Sequence, residues 1–450
     1  MLGLNFITSA IALASMPMWV SAQTQNPQSC VTTYNGNTDY FPVKANHTDT
    51  SVFTITYNNN YKTLTDVKNN LTYVLYMCGT PAPVNPNAAA IISIPVTHVG
   101  TEDTASLTFL EMLGVRQTIK YTTDPGFITS PCIRKLNIPQ FSSTPTDAEM
   151  SNVNVTFSWR TPNVNSTKIV RFPATSSTTS LQRYQWIHFL GAFFNKEDRA
   201  NTVAATIADD YNCIKQKAAT AAATSLSQPA TVFANYYSGT WTLGSAYTRA
   251  YVSDAGGNAA PANTTAAQTF DYSTQSAFIT LLQNTSNIVY TGDITLDAFY
   301  TNLNISSLTA TSTNNTYPWK VNGALWNMNR VTNNLASANS WFEQAVAWEN
   351  VVLADLVKVI QPTALVGYSR VFLRDLDANE EQLKLNPSTD CSTDDLSKVL
   401  VAPAVCAGQK VAWNGDGTGT GPGNAAPGMP SGRALAITLS AVAAAILLLA

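Results

Sequence analysis

The stretch 91–96 (IISIPV) is apolar and stops at a short polar loop, 97–103. Apolar residues then recur at helical spacing through Leu107, Leu110 and Met112/Leu113, and Gly114 is placed to end the helix. The pattern predicts a strand, a loop and a helix start. Such a junction sets backbone N–H groups and small polar side chains at the carboxyl edge of a sheet, where open α/β folds bind ligands. An ordinary βα turn carries the same signature, so both readings stand at this point.

Upstream, over 23–87, the period shortens to two. VFTITY (52–57) and TYVLYM (72–77) predict antiparallel strands, with turn chemistry in the intervening NNNYKTLTDVKNN. The first lobe, 88–180, closes with a strand near 153–157. Residues 181–228 are helical. Ile187, Leu190 and Phe194 share a face, and Asn195 is placed to cap a second helix with Glu197 and Asp198 in its first turn. Ala200, Val203, Ile207, Tyr211 and Ile214 form the stripe of that helix, which spans roughly 40 Å if it runs from Lys196 to about Thr224.

The α/β alternation returns over 229–375. PATVFANYY reads as a strand, and SGTWTLGSAYTRAYVSDAGG as a loop and a helix stopped by Gly256-Gly257. SAFITLLQNTSNIVYTGD reads as a helix and a strand, and WFEQAVAWENVVLADLVKVIQP as a long amphipathic helix ending before Pro362. Residues 376–424 are polar. The expected fold class is α/β: two Rossmann-like lobes joined by a long spine helix, with an N-terminal β-rich arm packed on the first lobe.

A chain of 450 residues exceeds what one core normally organises, which agrees with two lobes. Only 12% of residues are charged, the net charge is −3, and there is no basic block, which excludes nucleic acid as a partner.

Both ends carry targeting patterns. Residues 1–22 read as a secretory signal leaving at Ser21-Ala22, although no Lys or Arg precedes the apolar core. Residues 434–450 are an apolar tail behind a Gly/Pro-rich spacer, with three small residues at Asn424-Ala425-Ala426. This is the pattern of a glycosylphosphatidylinositol (GPI) signal, with lipidation at Asn424 and 425–450 removed. A membrane span is the other reading. The tail is at the short limit for one, and no basic flank follows.

Eight N-glycosylation sequons fit secretion: Asn46, Asn70, Asn154, Asn165, Asn263, Asn284, Asn304 and Asn314. So do six cysteines without a C-x-x-C pair. Six cysteines allow about 15 connectivities. The expected set is Cys30–Cys78, pinning the arm, Cys132–Cys213, tying the first lobe to the spine, and Cys391–Cys406, closing a short C-terminal loop. The expected location is the outer face of a plasma membrane or a cell wall.

Four stretches in order, GTEDTASLTFLEMLGV, FFNKEDRANTVAATIADDY, WTLGSAYTRAYVSDAGGN and NNLASANSWFEQAVAWENVVLADLVK, resemble the iron-siderophore and cobalamin class of periplasmic substrate-binding proteins, in particular its secreted eukaryotic relatives. The similarity covers about 88–375. It implies a cleft between the lobes with little hinge motion, and ferric siderophores, haem or cobalamin as ligands. It also implies contacts from 97–103, 236–247 and 329–342. Bacterial members dock on a permease through a carboxylate on each lobe. Here Glu149 or Asp147 is the first-lobe candidate, but the second-lobe stretch 273–276 has none, which argues against such docking.

The chain lacks G-x-S-x-G and H-E-x-x-H, and its paired acids, Glu102/Asp103 and Asp209/Asp210, are adjacent in sequence, so no enzyme is expected. The candidate ligand-binding residues are Thr97, His98, Thr101, Trp241, Tyr247, Arg330 and Trp341. His98 either meets an iron centre or chelator oxygen or bonds within its loop. The aromatic residues either wall a large chelate or belong to the core. Arg330 either neutralises an anionic chelate or caps a helix. No cofactor and no protein-held metal is expected. The favoured cargo is a hydroxamate-type ferric siderophore, ahead of haem, which would want an axial Tyr, His or Met. The alternative is a wall or adhesion glycoprotein that keeps the fold without a small ligand. No uptake partner is identified.

Overall fold

The computed structural model describes residues 25–159, 167–262, 267–271, 273–292, 295–305, 308 and 317–413. The secretory signal, the Asn424 anchor site, the apolar tail and the sequons at Asn165, Asn263 and Asn314 lie outside the described residues. The other five sequon asparagines are all exposed. Among the described residues no helix is long and apolar enough to cross a membrane.

The arm is a four-stranded sheet in chain order: β1 (Phe53–Tyr57), β2 (Tyr61–Asp66), β3 (Leu71–Met77) and β4 (Ala90–Ile94). The first three strands are antiparallel, and β4 runs parallel to β3. Two expectations change here. The stretch between the two expected strands holds a third, β2. The apolar run 91–96 joins the arm sheet rather than the first lobe.

The first-lobe sheet is parallel throughout: β5 (Val99–Thr101), β6 (Ile119–Thr122), β7 (Val155–Ser158) and β8 (Ile169–Arg171), in the spatial order β6-β5-β7-β8. Helix Leu107–Met112 follows β5 and is buried along its whole length, and Gly114, at φ +75°, turns the chain out of it.

The linking segment holds helix Trp186–Phe193 and then the spine, Glu197–Ala223. Ala200, Val203, Ile207, Tyr211 and Ile214 are buried as the periodicity predicts. Asn195 does not cap the spine. It sits in the left-handed region at φ 55°, where its Oδ1 accepts from Lys62 and its Nδ2 donates to Pro27 O.

The second lobe is built on β9 (Ala230–Tyr237), β10 (Thr240–Leu243), β11 (Asn258–Ala259), β12 (Gln268–Phe270), β13 (Asn287–Tyr290), β14 (Leu325–Asn327), β15 (Val331–Asn333), β16 (Arg374–Asp375) and β17 (Leu383–Leu385). Its sheet has the order β12-β10-β9-β13-β14-β16, with β9, β13 and β14 parallel and β11 against β9. β15 and β17 pair separately. The single long helix expected near the end is broken into a π-helical turn, Trp341–Ala345, and helix Glu349–Ile360, which packs on the spine.

The C-terminal segment binds the parts together. Cys30–Cys78 forms as expected. The other two expected pairs are corrected to Cys132–Cys391 and Cys213–Cys406. The residues after 375 do not form a separate loop. They wrap back, so Cys391 reaches the first lobe and Cys406 reaches the spine. The buried Asp210 carboxylate accepts the Val405 and Cys406 amides and so holds the second crossing in place.

Candidate functional site

Parallel strands point their carboxyl ends at one edge, and in the first lobe that edge faces the second lobe. Glu102, Asp103 and Thr104 follow β5, Thr122 ends β6, and Thr123 and Asp124 follow it. With Phe127 and Gln140 they form one wall of a cleft of about 550 Å³. The facing wall is Ser337, Ala338, Asn339 and Phe342, from the loop after β15 and the π-helical turn. Phe127 and Phe342 are 57% and 59% exposed, so both rings are available to a ligand. Trp159, whose amide donates to Asp103, is 52% exposed.

The acids are held in place. The two Asp103 oxygens accept the amides of Ala105 (2.9 Å) and Trp159 (3.0 Å). Burial pushes the Asp103 carboxyl up to about 6 against those hydrogen bonds. Glu102 accepts the Ser158 hydroxyl, and Asp124 accepts the Gly126 amide at 2.8 Å. No Lys, Arg or His lines the cleft among the described residues.

The base of the cleft is latched across the lobes. Asn333 donates from the second lobe to Gly126 O and Ile128 O, and Ser337 donates to Gly126 O. Glu343, next to Phe342, is fully buried and accepts the Thr129 and Ser130 amides and the Thr129 hydroxyl. Burial, reinforced by the charge of Glu111, raises Glu343 to about 8. These contacts fix Phe342 relative to the first lobe.

None of the seven candidate residues lines this cleft. Thr97 and His98 precede β5, at its amino end, where both amides donate to Asn154 Oδ1. His98 Nδ1 is 2.9 Å from Thr97 Oγ1, which is the bond-within-the-loop reading. They are misplaced because the strand of the first lobe is β5 and not the longer apolar run before it. Thr101 is fully buried at the end of β5, one residue short of the wall.

Trp241 is in β10, not in a loop. Its ring packs on Phe278, Tyr290 and Phe299 in the second-lobe core. Tyr247 stacks under the Arg183 guanidinium at 3.6 Å, against the linking helices. Arg330 is buried and ion-paired with Glu380. Trp341 is buried edge-on to Phe372. The segments 97–103 and 329–342 do reach the cleft, through Glu102, Asp103, Ser337, Ala338, Asn339 and Phe342.

Asp124 and Phe127 were missed because the Asp-Pro-Gly-Phe turn reads only as irregular chain. An aromatic residue directly after such a turn is the available signal.

No family model and no curated protein matches this sequence. Solved structures similar to the chain are periplasmic solute-binding proteins. A periplasmic binding protein from Veillonella parvula is 14% identical at a TM-score of 0.45, covering 70% of this chain and 99% of its own. A periplasmic heme-binding protein from Pseudomonas aeruginosa is 12% identical at 0.46, covering 64% of this chain and 100% of its own. A protein of an Fe3+-hydroxamate transport system from Saccharomonospora viridis is 12% identical at 0.40, with coverages of 59% and 93%. At these levels the likeness carries no functional weight, and the ligand is read from this chain's own residues.

Proposed function

We propose that this chain is a secreted, surface-anchored solute-binding protein that takes a bulky, uncharged or cationic iron chelate into the cleft between its lobes. The observation that carries this is the cleft wall: Glu102, Asp103 and Asp124 with no basic residue, beside the exposed rings of Phe127 and Phe342. Aromatic faces suit the apolar body of a large chelate, and carboxylates accept from its N–H and O–H groups.

Charge then narrows the class. A ferric trihydroxamate is neutral, because three hydroxamates balance the metal. A ferric tris-catecholate is triply negative and would face acids without compensation. Haem brings two propionates and wants an axial Tyr, His or Met, and none lines the cleft among the described residues. The surface anchor rests on the terminal apolar tail and its small-residue site.

The test is calorimetric titration of the purified protein with a ferric trihydroxamate, a ferric tris-catecholate and haem. Saturable binding of the first, tighter than the other two, is the expected result. A preference for the tris-catecholate, or no heat from any of them at up to about 100 μM, overturns the reading.

A further inference from the structure

A second cavity, of about 460 Å³, shares no residue with the cleft. It lies between the spine helix, the loop after helix Glu349–Ile360 and the C-terminal wrap. Leu365, Val371, Val405, Val411 and Trp413 give it apolar walls. Cys406 is part of the lining, and its bond to Cys213 fixes the wrap to the spine, so the cavity is closed on that side by a covalent link.

The mouth is open. Gly367 and Gly408 line it at φ +79° and +77°, and a Cβ added to either would meet nothing within 4 Å. Val366, also in the lining, is 91% exposed.

The charge is opposite to that of the cleft. Lys217 on the spine, Lys410 on the wrap and Arg330 just before β15 line the cavity, and among the described residues no Asp or Glu does. Three cations meet here in a chain whose net charge is −3. Lys217 and Lys410 are exposed. Arg330 is 7% exposed. Its Nε donates to Glu380 at 2.8 Å, but its Nη1 is buried without a hydrogen-bond partner. A buried guanidinium nitrogen left unpaired in the wall of an apolar cavity marks a place where an acceptor is wanting.

We propose that this cavity is a second ligand site, for a small anionic amphiphile: a carboxylate on an aliphatic or aromatic body. The carboxylate sits at the basic side, toward Arg330 Nη1 with Lys217 and Lys410 as the other cations, and the body lies along the valines and Trp413. A cavity of this size takes a ligand of drug-like dimensions. The assignment is independent of what the cleft binds.

The full chain tests it by calorimetric titration with decanoate and with decan-1-ol, which share a body and differ in charge. Decanoate should bind one to one, at least about tenfold tighter than the alcohol. The double charge reversal Lys217→Glu, Lys410→Glu alters two exposed side chains. It should abolish that preference while leaving the melting temperature unchanged. The proposal is overturned by equal affinity for the two probes, by full retention of decanoate binding in the charge-reversed protein, or by no saturable binding of decanoate up to about 1 mM.

Discussion

Lys62 of the arm donates to Glu197 in the first turn of the spine helix, and both side chains are fully buried. The ammonium also donates to Ala192 O and Asn195 Oδ1, so each of its three protons has an acceptor. Removing one partner strands the other charge without water. Lys62→Met should therefore destabilise the protein by about 3–5 kcal/mol in urea unfolding, and Lys62→Met with Glu197→Leu should recover much of that loss. A single-variant effect below about 1 kcal/mol, the level of a surface pair, would contradict this account.

The two exposed phenylalanines of the cleft and the buried Trp241 should separate binding from stability. Phe342→Ala and Phe127→Ala should each weaken capture of the ferric trihydroxamate by about 1–3 kcal/mol, with little change in melting temperature. Trp241→Ala opens the second-lobe core and should destabilise by about 3–5 kcal/mol. If Trp241→Ala weakens binding at unchanged stability, the assignment of the cleft is wrong.

Glu343 titrates near 8 in the folded protein, above its ordinary range near 4.5. The folded state then holds the proton more tightly than the unfolded chain. Its contribution is fully present below about pH 4.5 and is lost as pH rises toward 8. Asp103, raised to about 6, acts in the same direction at lower pH. His188 opposes them, because burial lowers it to about 4 and stability is gained as pH rises through its window. The measurement is therefore a difference: stability against pH for the wild type and Glu343→Gln. The wild type should lose more between pH 5 and 8. Parallel curves would remove Glu343 from the account.

Non-reducing peptide maps should recover Cys132 with Cys391 and Cys213 with Cys406. Cys391→Ser should cost about 2–5 kcal/mol of stability, because the bond closes a very long loop. Recovery of a Cys391–Cys406 peptide would restore the pairing expected from spacing alone.

If Asn424 carries the lipid, a phospholipase C specific for phosphatidylinositol should release the protein from intact cells, with 425–450 missing from its peptide map. Release only by detergent, with the apolar tail still present, would favour a membrane span.

Long periodic segments were the most legible part of the sequence. The stripe of Ala200, Val203 and Ile207 is the buried face of the spine, and Gly114 ends its helix. β2 was illegible for a physical reason. Its inward residues are Lys62, Leu64 and Asp66, and two of the three are charges that read as solvent-facing. They are buried because partners distant in sequence, Glu197 and Arg171, neutralise them. Trp241 failed differently. Thr-Trp-Thr-Leu already alternates, with Trp241 and Leu243 inward, and that period of two marks a strand. Near the cleft the error was one of phase. Trp341 and Phe342 are adjacent, and a chain of unknown pitch does not reveal which ring turns outward.

The Cys213–Cys406 crossing also defines a path for mechanical load. If the chain is held to a surface beyond residue 413, a pull enters the body at Trp413 and meets Cys406 a few residues earlier. There the sulfur bridge hands the tension to the spine helix. The bridge joins neither the first-lobe sheet nor the π-helical turn carrying Phe342 directly. Shear at the cell boundary would load the wrap and the spine first, before the walls of the cleft.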